Sequence, residues 1–198
     1  LDGVRLGRED AKIGFVATGR AYADLRQALN VLGIVDESTA AAAGVAVYKV
    51  AMPWPLDATP LERFARGKRR LVVVEHKRAF VETQVRDALY SVESRPQEIW
   101  GKKGSDGQPF LSDTMEMSVV PDITNAVLAA GNDIVGSTVW DEARRRGGEA
   151  MAKVFHAKEA AAPTQRKAFF CSGCPHSTST RVPDKARAFP GIGCHIMV

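Results

Sequence analysis

Lys12-Ile-Gly-Phe-Val-Ala-Thr18-Gly19 is an apolar run of strand length that ends directly on a glycine. Tyr22, Leu25, Leu29 and Leu32 follow at helical spacing, which places them along one face. The stretch therefore reads as a buried strand, a tight turn and an amphipathic helix that Gly33 ends as a C-terminal cap residue. A glycine at such a turn can cradle phosphate at a helix N-terminus. Without further glycines or a P-loop lysine, a plain α/β turn is the commoner reading.

The same alternation continues outward. A small helix over Ala40–Ala43, preceded by Asp36 and Ser38, stops at Gly44 and gives way to a strand, Val45-Ala-Val-Tyr-Lys-Val50. The two prolines of Met52-Pro-Trp-Pro55 make a loop. Asp57 and Thr59 cap a helix starting at Pro60, and the basic residues Arg66 to Arg70 suit the negative end of its dipole. Leu71-Val-Val-Val74 is an unbroken aliphatic run of the sort that a parallel sheet buries on both faces. Glu75, His76 and Lys77 follow at its carboxyl end, where α/β sites form, although a solvated strand-to-helix corner is more usual. Val81, Val85, Ala88, Leu89 and Val92 mark another helix; residues 94–114 are a loop with a short strand at Glu98-Ile-Trp100. Pro121 and Asp122 open a further helix that Gly131-Asn132 stops.

This order predicts a three-layer α/β/α domain with a mainly parallel sheet over residues 1–132. Residues 133–165 read as a helical connector of two short segments broken at Gly147-Gly148 and ended by Pro163. Residues 166–198 read as the truncated start of a second α/β domain. Leu1 is not Met, and His195-Ile-Met-Val198 resembles a strand cut in mid-course, so the sequence is expected to be a piece of a longer polypeptide.

Hydrophobic residues make up 45% and charged ones 25% of the 198, which excludes a disordered or fibrous chain. The apolar runs are too short for a membrane span, and no signal peptide opens the chain. Three cysteines argue against a disulfide framework and for a reducing, cytoplasmic setting. The formal charge of +4 is concentrated after residue 140, where 10 Lys and Arg face 5 Asp and Glu. Such a region can serve nucleic acid or an acidic partner, but a solvated face is the ordinary reading.

The most chemically loaded stretches are Phe169-Phe-Cys-Ser-Gly-Cys-Pro-His176 and Gly191-Ile-Gly-Cys-His195. Together they hold all three cysteines and two of the four histidines. Cys171 and Cys174 can turn two thiolates towards one metal within a single bend, and Cys194 could return a third. A zinc ribbon would place a cysteine at 197, which is Met197, leaving His176 or His195 as a fourth ligand. A thioredoxin-type dithiol would need a long helix after the pair, and Pro183 and Pro190 oppose it. Inert thiols and an iron–sulfur cluster completed by a ligand outside the chain remain the other readings.

CSGCPHSTSTRVPDKARAFPGIGCH resembles the start of the thiamine-diphosphate-binding domain of indolepyruvate ferredoxin oxidoreductases, members of the 2-oxoacid:ferredoxin oxidoreductase family. KIGFVATGRAYADLRQALNVLGI, KVAMPWPLD and RRLVVVEHKRAFVETQVRDALY resemble the transketolase C-terminal-like domain that precedes it. The resemblance implies an enzyme that decarboxylates an aryl or other 2-oxoacid on thiamine diphosphate with Mg2+. It also implies that a [4Fe-4S] cluster passes electrons to ferredoxin and that an acyl-coenzyme A is released. Cys171, Cys174 and Cys194 would bind the cluster, and Gly193, Cys194 and His195 would lie beside the thiazolium. Other domains or subunits, in a homodimer, would complete the site, because the activating glutamate's domain and a Gly-Asp-Gly motif are both missing. The isolated segment is then expected to be inactive. His76 also stands where the family pattern has a second acidic residue after Glu75. A zinc-stabilised module with a basic tail contacting nucleic acid or an acidic partner is the alternative.

Overall fold

The computed structural model describes residues 2–111, 119–133, 137–160, 172–179, 181 and 183–184. Two compact units form, Leu1–Phe155 and His156–Val198. The first contains strands β1 (Gly3–Leu6), β2 (Ile13–Thr18), β3 (Val45–Val50), β4 (Arg70–Val74) and β5 (Glu98–Trp100). Its helices are α1 (Gly19–Val31), α2 (Glu37–Ala43), α3 (Ala58–Ala65), α4 (Val81–Leu89), α5 (Val119–Ala130) and most of α6 (Thr138–Ala160).

The sheet order is β1-β3-β2-β4-β5. β2 runs parallel to both β3 and β4, and β5 is parallel to β4. Side chains alternate between two apolar layers, as strand geometry requires. Ile13, Phe15, Val45, Val47, Val72 and Val74 pack with residues of α1, α2, α5 and α6. Val16, Tyr48, Val50, Leu71 and Val73 pack with residues of α3 and α4. Both faces are therefore covered, and the three-layer α/β/α arrangement expected from the alternation forms. β1 is an addition that the sequence reading did not anticipate. It pairs antiparallel with β3 and closes that edge, with an irregularity between Val4 and Leu6.

Local chemistry places the helix ends as expected. At the end of α1 the Ile34 amide donates to the Leu29 carbonyl and the Gly33 amide to that of Asn30, with Gly33 at φ +83°. This paired arrangement needs a left-handed residue there, which glycine supplies without strain. Asp36 and Thr39 form a reciprocal capping box on α2. The Thr39 amide, followed by the Ser38 and Thr39 hydroxyls, pulls the Asp36 carboxyl down to about 2.

Two expectations fail here for identifiable reasons. The stretch read as two helical segments broken at Gly147-Gly148 is one continuous helix, α6. Glu142 accepts from Arg145 and Arg146, and these contacts hold its carboxyl near 2; Arg145 also reaches Glu149. Such pairs support helix across two poor formers. Gly147 also faces the side chains of Leu128 and Leu32, where a methyl group would crowd Leu128. The compact unit extends past residue 132 because Trp140 is fully buried and donates through Nε1 to the Ala43 carbonyl, 3.0 Å away. A side chain at Gly131 would collide with its ring.

The basic run after α3, read from the sequence as suiting the helix dipole, divides: Arg66 and Arg69 are exposed, and Lys68 and Arg70 turn inward. Lys68 is buried and its ammonium donates to the carbonyls of Glu9 (2.7 Å) and Ala11 (3.1 Å) above the Phe64 ring. Arg70 is buried between Glu98, Asp133 and the Trp100 ring, and also donates to the Ala130 carbonyl.

Replacing Trp140 with Ala should cost about 3–5 kcal/mol in urea unfolding at an unchanged denaturant slope. A loss below about 1 kcal/mol would mean that α6 does not brace the fold. Burial lowers Lys68 from 10.5 to about 8. Between those values the unfolded chain binds the extra proton, so this residue's contribution to stability rises with pH. The stability difference between the parent chain and Lys68→Met should shift in the parent's favour from pH 8 to 10.5, and a flat difference would refute the assignment.

Candidate functional site

β2 hands over to α1 on one face of the sheet, whereas its neighbour β4 hands over to α4 on the other. Adjacent strands whose connections part in this way leave a crevice at their carboxyl ends, the usual location of a site in an open α/β sheet. Thr18, Gly19 and the corner Glu75–Phe80 border it. The loop Ala51–Asp57 lies at the same end of the sheet, after β3.

Glu75 is buried and its carboxylate caps α4. Oε2 accepts from the amides of Phe80 (3.1 Å) and Val81 (2.8 Å), and Oε1 accepts from that of Glu82 (2.9 Å). Phe80 precedes the helix and has no oxygen to offer, so a residue five positions earlier satisfies the first-turn amides. Lys102 donates to the Glu75 carbonyl at 2.8 Å and ties the corner to the segment after β5. The acidic member of the Glu75-His76-Lys77 trio is thus committed to structure. This agrees with reading the trio as a corner, except that Glu75 is buried and not solvated.

His76 is differently engaged. Its Nε2 lies 2.9 Å from Asp24 Oδ2 on α1, and Arg20 approaches the same oxygen at 3.5 Å. The pair links the two walls of the crevice across 52 residues of sequence. Its other ring nitrogen has no protein partner among the described residues. A carboxylate-oriented imidazole of this kind can accept or deliver a proton or bind a ligand group. Asp24 was invisible in the sequence, because nothing in the pattern of α1 marks one of its polar positions as facing β4.

The loop Ala51–Asp57 and the Phe80 corner expose large apolar groups. Trp54 is 67% exposed, with Met52 and Phe80 at 50% each, and the Trp54 and Phe80 rings touch with centroids 6.1 Å apart. The loop is nevertheless held. Asp2 Oδ1 accepts from the Ala51 amide at 2.8 Å, Gln84 donates to the Pro53 carbonyl at 2.9 Å, and Leu56 donates back to Gln84 at 3.1 Å. The sequence marked this stretch only as a proline-bracketed loop.

Within the second unit, Cys174 is half-buried on a turn where Gly173 has φ +76° and Pro175 leads into α7 (His176–Ser179). Its Sγ lies 3.3 Å from His176 Nδ1. The structure thus brings together Cys174 and the histidine considered as an extra ligand. Cys171, Gly193, Cys194 and His195 lie outside the described residues. Among the described residues, no group of three or more His, Cys, Asp and Glu is arranged to hold a metal ion. The donor chemistry of Cys174 fits a thiolate ligand: the residue is half-buried, and its thiol is free of any disulfide.

A family model described as "Indolepyruvate oxidoreductase domain" matches residues 4–158. The chain is 38% identical over 80 residues to "Indolepyruvate oxidoreductase subunit IorA" of Pyrococcus abyssi, covering 40% of this chain and 11% of that protein. It is 34% identical over 84 residues to the protein of the same name from Thermococcus kodakarensis, covering 42% and 12%. The matches thus span about a tenth of the length of these relatives. A solved structure titled "Split gene transketolase, inactive beta4 tetramer" superposes with a TM-score of 0.42 at 17% identity, covering 62% of this chain and 39% of that one.

The cap assigned to Glu75 predicts that Glu75→Ala destabilises the chain by at least about 2 kcal/mol, since three charge-assisted hydrogen bonds are lost, two of them to buried amides. Glu75→Gln should retain part of that stability. Equal melting temperatures for the parent and the alanine variant would exclude the role.

Proposed function

This chain belongs to the indolepyruvate oxidoreductase domain family, and on that premise we propose that it is a segment of a thiamine-diphosphate-dependent 2-oxoacid:ferredoxin oxidoreductase. The match over residues 4–158 is the observation that carries the reading. The parent enzyme converts an aryl or other 2-oxoacid and coenzyme A to an acyl-coenzyme A and CO2, and two electrons pass to ferredoxin. When bound, thiamine diphosphate with Mg2+ supplies the electron sink for decarboxylation, and a [4Fe-4S] cluster supplies the one-electron path.

This chain's own part is narrower. Cys171, Cys174 and Cys194 serve as thiolate ligands, and Gly193, Cys194 and His195 lie on the thiazolium side. The first unit is the transketolase C-terminal-like scaffold. Glu75 fixes the β4–α4 corner, and the Asp24–His76 pair holds that corner against α1. The enzyme works in the cytoplasm as a homodimer completed by other domains or subunits. No helix among the described residues is long and apolar enough to cross a membrane.

A second reading draws on the Cys174–His176 contact. Sulfur and nitrogen donors 3.3 Å apart suit two vertices of a tetrahedral zinc site. Zinc in place of iron would make the second unit a metal-stabilised binding module.

Metal and acid-labile sulfide analysis under anaerobic conditions separates the two. Iron and sulfide in comparable amounts, lost in Cys174→Ser, are expected of the oxidoreductase; stoichiometric zinc without sulfide would replace that reading with the module. The 198-residue chain alone should show no 2-oxoacid-dependent reduction of ferredoxin, and turnover by it would disprove the division of the active site.

A further inference from the structure

We infer that the Met52–Trp54–Phe80 corner, with Lys77 and Arg78 at its rim, is the docking surface for another part of the same oxidoreductase, one that presents an apolar side chain flanked by carboxylates. The inference rests on the function proposed above, because it takes its occupant from that enzyme.

Three observations converge on this corner. The first is its composition: three large apolar side chains, each at least half exposed, gather at the carboxyl end of the sheet, with two of the rings in contact. Surface patches that hold water off an exposed tryptophan in the free state are rare, whereas buried tryptophan anchors dominate interfaces. The second is rigidity. Asp2 and Gln84 hold the backbone on either side of Trp54, and Glu75 fixes the amide of Phe80. Such bracing reduces the ordering cost of association.

The third is charge. Lys77 and Arg78 are exposed and have no ion-pair partner among the described residues. The nearby acids are engaged: Glu75 on the α4 amides, Asp24 on His76 and Arg20, Asp2 on the Ala51 and Met52 amides, and Asp57 on the Thr59 amide. Lys77 and Arg78 therefore present two unpaired cations next to Phe80, and an occupant with carboxylates complements them. A second copy of this chain docking through the same patch would oppose like charges. The relatives supply a source for the occupant, since the matched stretch spans only about a tenth of their length.

The test uses tryptophan quenching by acrylamide. The chain has three tryptophans, and Trp100 and Trp140 are buried, so the quenchable emission of the 198-residue chain should belong to Trp54 and vanish in Trp54→Phe. In the full-length oxidoreductase, the emission assigned by the same substitution should be quenched at least fivefold less. A Lys77→Glu/Arg78→Glu variant should restore the quenching, with faster hydrogen exchange over residues 51–57. Equal quenching in the two proteins would overturn the inference. So would concentration-dependent shielding in the isolated chain, which would assign the patch to a second copy, or shielding by anionic phospholipid vesicles, which would assign it to a membrane surface. Ferredoxin reduction is measured on the same full-length sample. Shielding without turnover would retain the docking surface and reject the proposed activity, and turnover with Trp54 fully quenchable would do the reverse.

Discussion

Both faces of the central strands are closed to water, and the first unit is arranged to meet that constraint. β2 and β4 carry aliphatic residues at consecutive positions, so one helical layer would leave half of them wet. Helices α3 and α4 cover one face and α1, α2, α5 and α6 the other. The second layer is the more demanding because it is completed from a distance. Trp140 reaches it from α6 and donates its hydrogen bond to a carbonyl 97 positions earlier in the chain. Residues beyond 132 therefore belong to the same core as residue 13.

A sheet buried on both sides leaves polar chemistry only at its two ends, and the ends are treated differently. At the amino end, Lys68 and Arg70 are enclosed, with carbonyls, carboxylates and aromatic faces replacing water. Removing any of these partners would leave a buried cation, so this end is built for stability. At the carboxyl end, Glu75 is enclosed as a cap, but His76 is half-buried, Lys77 and Arg78 are exposed, and aromatic rings lie in the open. Among the described residues, the Tyr48 hydroxyl and the Trp100 indole nitrogen are exceptions in the core: both are buried with no partner, and burial followed by the charge of Asp2 raises the Tyr48 pKa to about 12.

How much of this was legible depends on whether the signal was local. β2, β3 and β4 and the helices between them follow from residues close in sequence, and these elements formed where the pattern placed them to within a few residues. β1 was missed because its four residues are a strand only by pairing with β3. Glycine propensity argued for a break in α6, but Arg–Glu pairs and packing against Leu128 and Leu32 outweighed it. The basic run after α3 carried no mark that Lys68 would turn inward while Arg69 stayed accessible, and the Asp24–His76 contact joins elements that only the sheet order brings together. The cysteine pattern is the opposite case, since its meaning lies in spacing. Of its members the described residues add only the position of Cys174 beside His176.

The distribution of committed groups says what the first unit contributes. A catalytic carboxylate must be free to exchange a proton at the reacting atom. Glu75 and Glu82 instead accept from backbone amides, the latter from that of Lys102 at 2.8 Å while also holding Arg86. Asp24 is shared between Arg20 and His76. Among the described residues, what remains unspent at the carboxyl end is one imidazole nitrogen, two cations and an apolar corner, which are means of recognition. A unit with this inventory positions and recognises other groups, in line with the scaffold role proposed for it.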